Sequence, residues 1–163
     1  SRGLGDVYKR QVKFRTDVAS MCKLGFDIGL KDMTADELAY CQDAVANWKR
    51  LQPAIMDGDQ YRLVSPYETN HMAVNYVSKD QKKAVLFAYD VYPRFQEKLI
   101  NVKLQGLDPN KTYKVEEINL MPGVDSALKS NGQTYTGDYL MKVGIEVFGF
   151  AATQSHVLEL TAM

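Results

Sequence analysis

The chain has 163 residues, 45% of them hydrophobic and 25% charged, ordinary values for one globular domain or a little more, with enough length to bury a core. Lys plus Arg number 20 and Asp plus Glu number 20, so no global field draws in nucleic acid or an anionic membrane, and no run of about 18 apolar residues offers a membrane span. Two cysteines, Cys22 and Cys41, cannot build a disulfide scaffold, and two distant histidines, His71 and His156, do not match the usual zinc spacings.

The opening Ser1 to Gln11, SRGLGDVYKRQ, reads like a translated sequencing-adapter tail of the kind that recurs at the ends of metagenomic reading frames. The alternative is a natural basic N-terminus. On the adapter reading, residues 1–11 are a non-native tail, natural sequence starts near Val12, and the chain is cut upstream. Phe14, Val18, Met21 and Cys22 then fall on one helical face, and Gly25 is placed to end that helix as a left-handed cap. Phe26-Asp27-Ile28-Gly29-Leu30 alternates as a short strand. Thr34-Ala35-Asp36-Glu37 is a capping box, with Met33 and Leu38 as a hydrophobic staple. Leu38, Cys41, Ala44, Val45, Trp48 and Leu51 are the expected buried stripe. Asp36 and Glu37 suit the positive helix end, Lys49 and Arg50 the negative one, and Pro53 marks the exit. Helix, strand, helix over 12–56 is a piece of an α/β layer that cannot complete a sheet by itself, because a lone strand leaves backbone groups unpaired. If Phe14, Phe26, Ile28 and Trp48 pack on absent strands, they are expected to be partly exposed.

From Asp57 the period becomes two. Tyr61 and Leu63 flank Arg62; Met72, Val74 and Tyr76 share a face; Ala84 to Tyr89 is apolar enough for a strand buried on both sides. Ile100, Val102 and Leu104 alternate with polar residues. Tyr113 and Val115 are in one phase, Ile118 and Leu120 in the other, so a bulge is expected at Glu116-Glu117. Tyr139 to Phe148 and His156 to Leu160 supply further strands. Turn residues separate these runs: Asp57-Gly58, Ser78 to Gln81, Leu107 to Asn110, Pro122-Gly123 and Asn131-Gly132. Seven or eight short strands between such turns predict an antiparallel β-sandwich over 57–163.

Chemistry is sparse. Retaining glycoside hydrolysis needs two carboxylates about 5 Å apart across a sugar. The candidate pairs are Asp36/Glu37, better explained as a helix start, Asp57/Asp59, better explained as a turn, and Glu116/Glu117, neighbours on one strand. No Gly-x-Ser-x-Gly elbow or Gly-rich phosphate loop occurs. His71 and His156 read as surface or satisfied histidines, Cys22 and Cys41 as buried free thiols. Asn110-Lys111-Thr112 is a weak glycosylation match. The ten tyrosines read first as half-buried strand residues, and second as a sugar-stacking surface. No residue is assigned as catalytic, cofactor-binding or metal-binding, and no cofactor is expected.

Phe14-Arg15-Thr16-Asp17-Val18-Ala19, Lys23 to Ile28 and the Thr34 to Leu51 helix together resemble the end of the catalytic barrel in α-galactosidases of glycoside hydrolase family 36 (clan D). The likeness continues through Gly58 to Pro66, Gly106-Leu107-Asp108-Pro109 with Tyr113 and Val115, and Gly137 to Met141 with Gly144. It covers nearly everything from Val12 to Met163 as an ordered set. It implies a mainly β chain: an antiparallel C-terminal β-sandwich (57–163) preceded by the last helix-strand-helix of a truncated (β/α)8 barrel (12–56). A whole barrel needs about 250 residues and does not fit. The family cleaves terminal α-linked galactose with retention, using two aspartates on earlier barrel strands. Those strands, with their Lys-x-Asp and Cys-x-x-Gly-Gly-type motifs, would lie upstream of Val12. No aspartate here matches either catalytic position, and Asp27, at the end of the last barrel strand, is expected to be structural. The resemblance thus implies an enzyme as the parent, with an α-galactoside substrate, a possible homo-oligomeric state and a bacterial source of unassigned compartment, while the balanced charge argues for no nucleic-acid or membrane partner. The chain alone is expected to be inactive. The alternative is a stand-alone carbohydrate-binding β-sandwich; a weaker third reading is an interaction domain that binds protein through its helical face.

Overall fold

The computed structural model describes residues 2–26, 31, 33–94, 99–149 and 151–163, with side chains from residue 11 onward. In chain order the elements are α1 (Arg2–Ser20), α2 (Ala35–Asp57), β1 (Asp59–Val64), β2 (His71–Val77), β3 (Lys83–Asp90), β4 (Thr112–Ile118), β5 (Thr134–Thr136), α3 (Gly137–Lys142) and β6 (Gln154–Ala162). The six strands form one antiparallel sheet in the order β1-β2-β3-β6-β4-β5. The mainly β, antiparallel class is as the sequence predicts. Among the described residues no helix is long and apolar enough to cross a membrane.

The sheet is the middle of three layers. One face presents Val74, Tyr76, Val85, Phe87, Tyr89 and Val157 to Leu51, Ala54 and Ile55 of α2, with Phe14, Met21 and Trp48 packed alongside. The other presents Ala73, Leu86, Ala88, Val115, Leu158 and Leu160 to a layer made from 99–107 and 137–149, which contributes Val102, Leu104, Leu107, Leu140, Val147 and Phe148. The Ala84 to Tyr89 run is accordingly buried on both sides. Where a second sheet of a sandwich was expected, the described residues of this outer layer show one isolated bridge, Val102 to Ile145. Asn75 fastens the layer: its Nδ2 donates to Gln105 O at 2.9 Å and its Oδ1 accepts from Gln105 N at 3.2 Å.

The alternation of Val102 and Leu104 therefore marks burial without a ladder, and Ile100 is exposed. The expected strand from Tyr139 begins instead as α3, which Thr136 caps by accepting from Tyr139 N at 3.2 Å. No bulge interrupts Glu116-Glu117; the β4–β6 register runs unbroken from Tyr113↔Ala162 to Ile118↔Val157. Tyr113 and Val115 face one layer and Ile118 the other, and since both faces are covered, apolar residues occupy both phases. The irregularity lies between Arg62 and Val64 in β1.

In the helices, the capping box of Thr34 and Glu37 forms in both directions. The buried stripe is Glu37, Tyr40, Cys41, Ala44, Leu51, Ala54 and Ile55. Leu38 is exposed, so it makes no staple with Met33, which packs against Tyr40, Cys41 and Ala44. Pro53 lies inside α2 rather than after it, and the last turn carries no basic residue; the ring sits on the exposed side, where a lost N–H is tolerated. Helix α1 stops at Ser20, and Gly25 is absent from the left-handed residues. Gly58 is required on other grounds: a Cβ there would collide with Ala54 O and Val77 O. Of the strand expected at 26–30, only Phe26, which is exposed, falls within the described residues.

Candidate functional site

The expected carboxylate pairs do not assemble. Glu37 is spent on the α2 cap, accepting from Thr34 N at 2.8 Å. Asp57 and Asp59 flank the α2–β1 joint, and Asp59 pairs with Lys79 at the surface. Glu116 is exposed and pairs with Lys114 at 2.6 Å, whereas Glu117, on the opposite face, is buried. Asp27 lies outside the described residues, and among those described no cluster of three or more His, Cys, Asp or Glu could hold a metal. Cys41 is buried as expected, and burial, then the neighbouring Glu37, pushes its thiol up. Cys22 is exposed, past the end of α1, and its carbonyl accepts from Trp48 Nε1 at 3.1 Å. The most exposed tyrosines, Tyr67 and Tyr92, sit after β1 and β3 in turns rather than in a row on the sheet.

Both histidines are buried and each is turned to a carboxylate. His71 Nδ1 lies 2.7 Å from Asp90 Oδ1, its ring stacked on Phe148, and Gly149 N donates to Asp90 Oδ2 at 2.9 Å. Burial raises the Asp90 carboxyl, against the lowering effect of Gly149 and His71. His156 Nδ1 lies 2.6 Å from Glu117 Oε1, and Ser126 Oγ donates to Glu117 Oε2. Burial pushes Glu117 up, but the bonds from His156 and Ser126 outweigh it and leave the carboxyl below its ordinary range. The serine addresses the glutamate and not the imidazole, so the trio is not a nucleophile-base-acid relay. It borders an open cavity of about 450 Å³ between α1, the 119–133 loop and the start of β6, lined in part by Lys13, Leu120, Met121, Val124, Ala151 and His156.

Among the described residues the most connected buried side chain is Asp17 of α1, which is fully buried. Its carboxylate accepts from Lys13 Nζ (2.6 Å), Tyr40 Oη (3.0 Å), Asn119 Nδ2 (3.0 Å) and Ser155 Oγ (2.7 Å), joining α1 to α2, the end of β4 and β6. Tyr89 Oη donates to Asp17 O at 2.8 Å. Burial first, then the charge of Asp17, drives the Tyr40 and Tyr89 hydroxyls far up, so both remain donors. Nothing in this arrangement leaves an oxygen for a substrate; it is a clasp between helices and sheet. Sequence reasoning missed it, although an aspartate set three residues after Phe14 and four before Met21, on the apolar face, is a visible signal.

The model for the glycosyl hydrolase family 36 C-terminal domain matches residues 71–160, more than half of the chain. The chain is 34% identical over 136 residues to the probable α-galactosidase C of Aspergillus flavus, covering 83% of this chain and 16% of that protein. The crystal structure of the family 36 α-galactosidase AgaB from Geobacillus stearothermophilus superposes with a TM-score of 0.77 at 27% identity, over 91% of this chain and 19% of that one. A variant of AgaA from the same organism, solved with raffinose, gives 0.76 at 26% identity over the same shares. The chain thus spans a fifth or less of the relatives it matches. With its antiparallel sheet and the match across β2 to β6, this chain belongs to glycosyl hydrolase family 36 and carries that family's C-terminal domain.

Proposed function

We propose that the chain is the C-terminal portion of a retaining α-galactosidase that hydrolyses terminal α-linked galactose, and that its own task is scaffolding. On this reading residues 1–11 are a non-native tail, 12–56 the end of the catalytic barrel, and 57–163 the domain that covers it. The observation that carries the reading is the extent of the likeness: 91% of the chain superposes on a family 36 α-galactosidase, more than the sheet alone accounts for. The site inventory agrees with it. Most of the described acids are placed in caps, surface pairs and buried clasps, and Glu117, which lines a cavity with Asp125, is held by His156 and Ser126, so the residues that cleave the glycoside are assigned to the part of the parent outside this chain. The parent's substrate is an α-galactoside, the class to which the raffinose bound by the AgaA variant belongs. The net charge of zero favours neither nucleic acid nor membrane as partner. A homo-oligomer joined through this domain is part of the proposal.

The test is hydrolysis of an aryl α-galactoside by the purified chain. No turnover is expected, and activity that survives purification and follows the chain through chromatography overturns the reading. Calorimetric titration with melibiose separates the scaffold from a carbohydrate-binding module: saturable heat from this chain alone would establish the latter.

A further inference from the structure

The cavity beside Glu117 and His156 plays no part in the reading above. Its walls are apolar over much of their extent: Leu120, Met121 and Val124 from the 119–133 loop, and Ala151 ahead of β6. Most polar groups on its border are already engaged. Lys13 and Ser155 donate to Asp17, and Thr153 Oγ1 donates to Ala152 O at 2.7 Å. Asp125 is exposed at the rim. His156 is different. It is more than nine-tenths buried, and its Nδ1 is held by the Glu117 carboxylate at 2.6 Å. A carboxylate accepts only, so Nδ1 carries the proton, and in the neutral ring Nε2 is left as a bare acceptor. Among the described residues no hydrogen bond uses Nε2, and the ring borders the cavity.

We propose that this cavity binds a compact, largely apolar molecule bearing one hydroxyl donor, an alcohol or phenol, whose O–H is received by Nε2 of His156. The volume lies within the range of small-molecule sites. The chemistry of the walls gives the selectivity: Leu120, Met121, Val124 and Ala151 reward an apolar body, and the unused ring nitrogen of His156 rewards a hydroxyl donor. Glu117 acts at one remove, as a positioning residue. It fixes the tautomer of His156 and, through Ser126, holds the loop that roofs the cavity. The inference does not depend on the galactosidase reading.

The experiment uses the 163-residue chain, labelled with nitrogen-15, with phenol and its methyl ether anisole as probes. They share the aromatic body, and only phenol can donate. Imidazole nitrogen shifts are expected to report the Nδ1–H tautomer of His156 at neutral pH. Phenol is expected to move the His156 and 120–127 signals saturably, with anisole about tenfold weaker. His156→Leu should bring phenol down to the level of anisole. Ala151→Leu, which narrows the cavity and leaves the Glu117 bonds intact, should weaken both probes and guards against a misfolded histidine variant. Protonation at Nε2, equal binding of the two probes, shifts located elsewhere, or an Ala151→Leu variant that binds unchanged would each overturn the proposal.

Discussion

The two faces of the sheet are covered by different means. On the helical side, regular elements meet the strands through side chains, and the closest cross-link is polar: Asp17, with donors from four directions. On the other side, mostly irregular chain lies over the sheet, with its own backbone groups to satisfy, and it does so through the Asn75–Gln105 clip and the Val102–Ile145 bridge above an apolar bed. A helix satisfies its own amides and asks only for a complementary surface, whereas an extended cover must find partners residue by residue. The helical layer should therefore fail at one point, and the irregular layer in pieces.

The sharpest way to break this contrast is Asp17→Ala, which strands Lys13, Tyr40, Asn119 and Ser155 without their acceptor. A loss of about 3–5 kcal/mol in urea unfolding is expected; a loss under about 1 kcal/mol would mean the clasp is ornamental. Leu158→Ala, in the bed under the irregular layer, is expected to remove about 3 kcal/mol through its cavity. Asn75→Ala should cost about 2 kcal/mol and raise amide exchange across 99–107 while leaving α2 protected, the local failure that the contrast requires. Thr34→Ala removes the α2 cap and is expected to lower stability by about 1 kcal/mol.

Glu159→Gln tests the smallest effect at neutral pH, under about 1 kcal/mol, since its partners Arg50 and Lys83 are themselves well exposed. Its signature is the pH dependence. Burial raises this carboxyl, but the bonds from Arg50 and Lys83 prevail and lower it. A carboxylate lowered in the folded state stabilises above its unfolded range and loses that contribution as pH falls through its folded value. Glu117 has the same sign and Asp90, raised by burial, the opposite one. The chain should lose stability on acidification below the ordinary glutamate range, about 4.3; in Glu159→Gln that decline should be shallower, in Asp90→Asn steeper. Thermal midpoints across a pH series measure all three.

Much of this was legible in the residues. The alternation of Met72, Val74 and Tyr76 and the continuous Ala84 to Tyr89 run gave two central strands their places, and Thr34 with Glu37 located a helix start. What could not be read locally was decided by tertiary neighbours. Tyr139 and Met141 alternate as a strand would, but Thr136 caps a helical turn there instead. Val102 and Leu104 are buried without a ladder because 99–107 lies over the sheet rather than in it. Asp17, His156 and Glu117 are far apart in sequence, and only the pairing of β4 with β6 and the packing of α1 on β6 bring each to its partners.

A single residue, Gly58, separates α2 from β1, and it is wedged between Ala54 O and Val77 O. A joint of that length has no slack. The end of α2 is thereby pinned to the border strand rather than tethered to it.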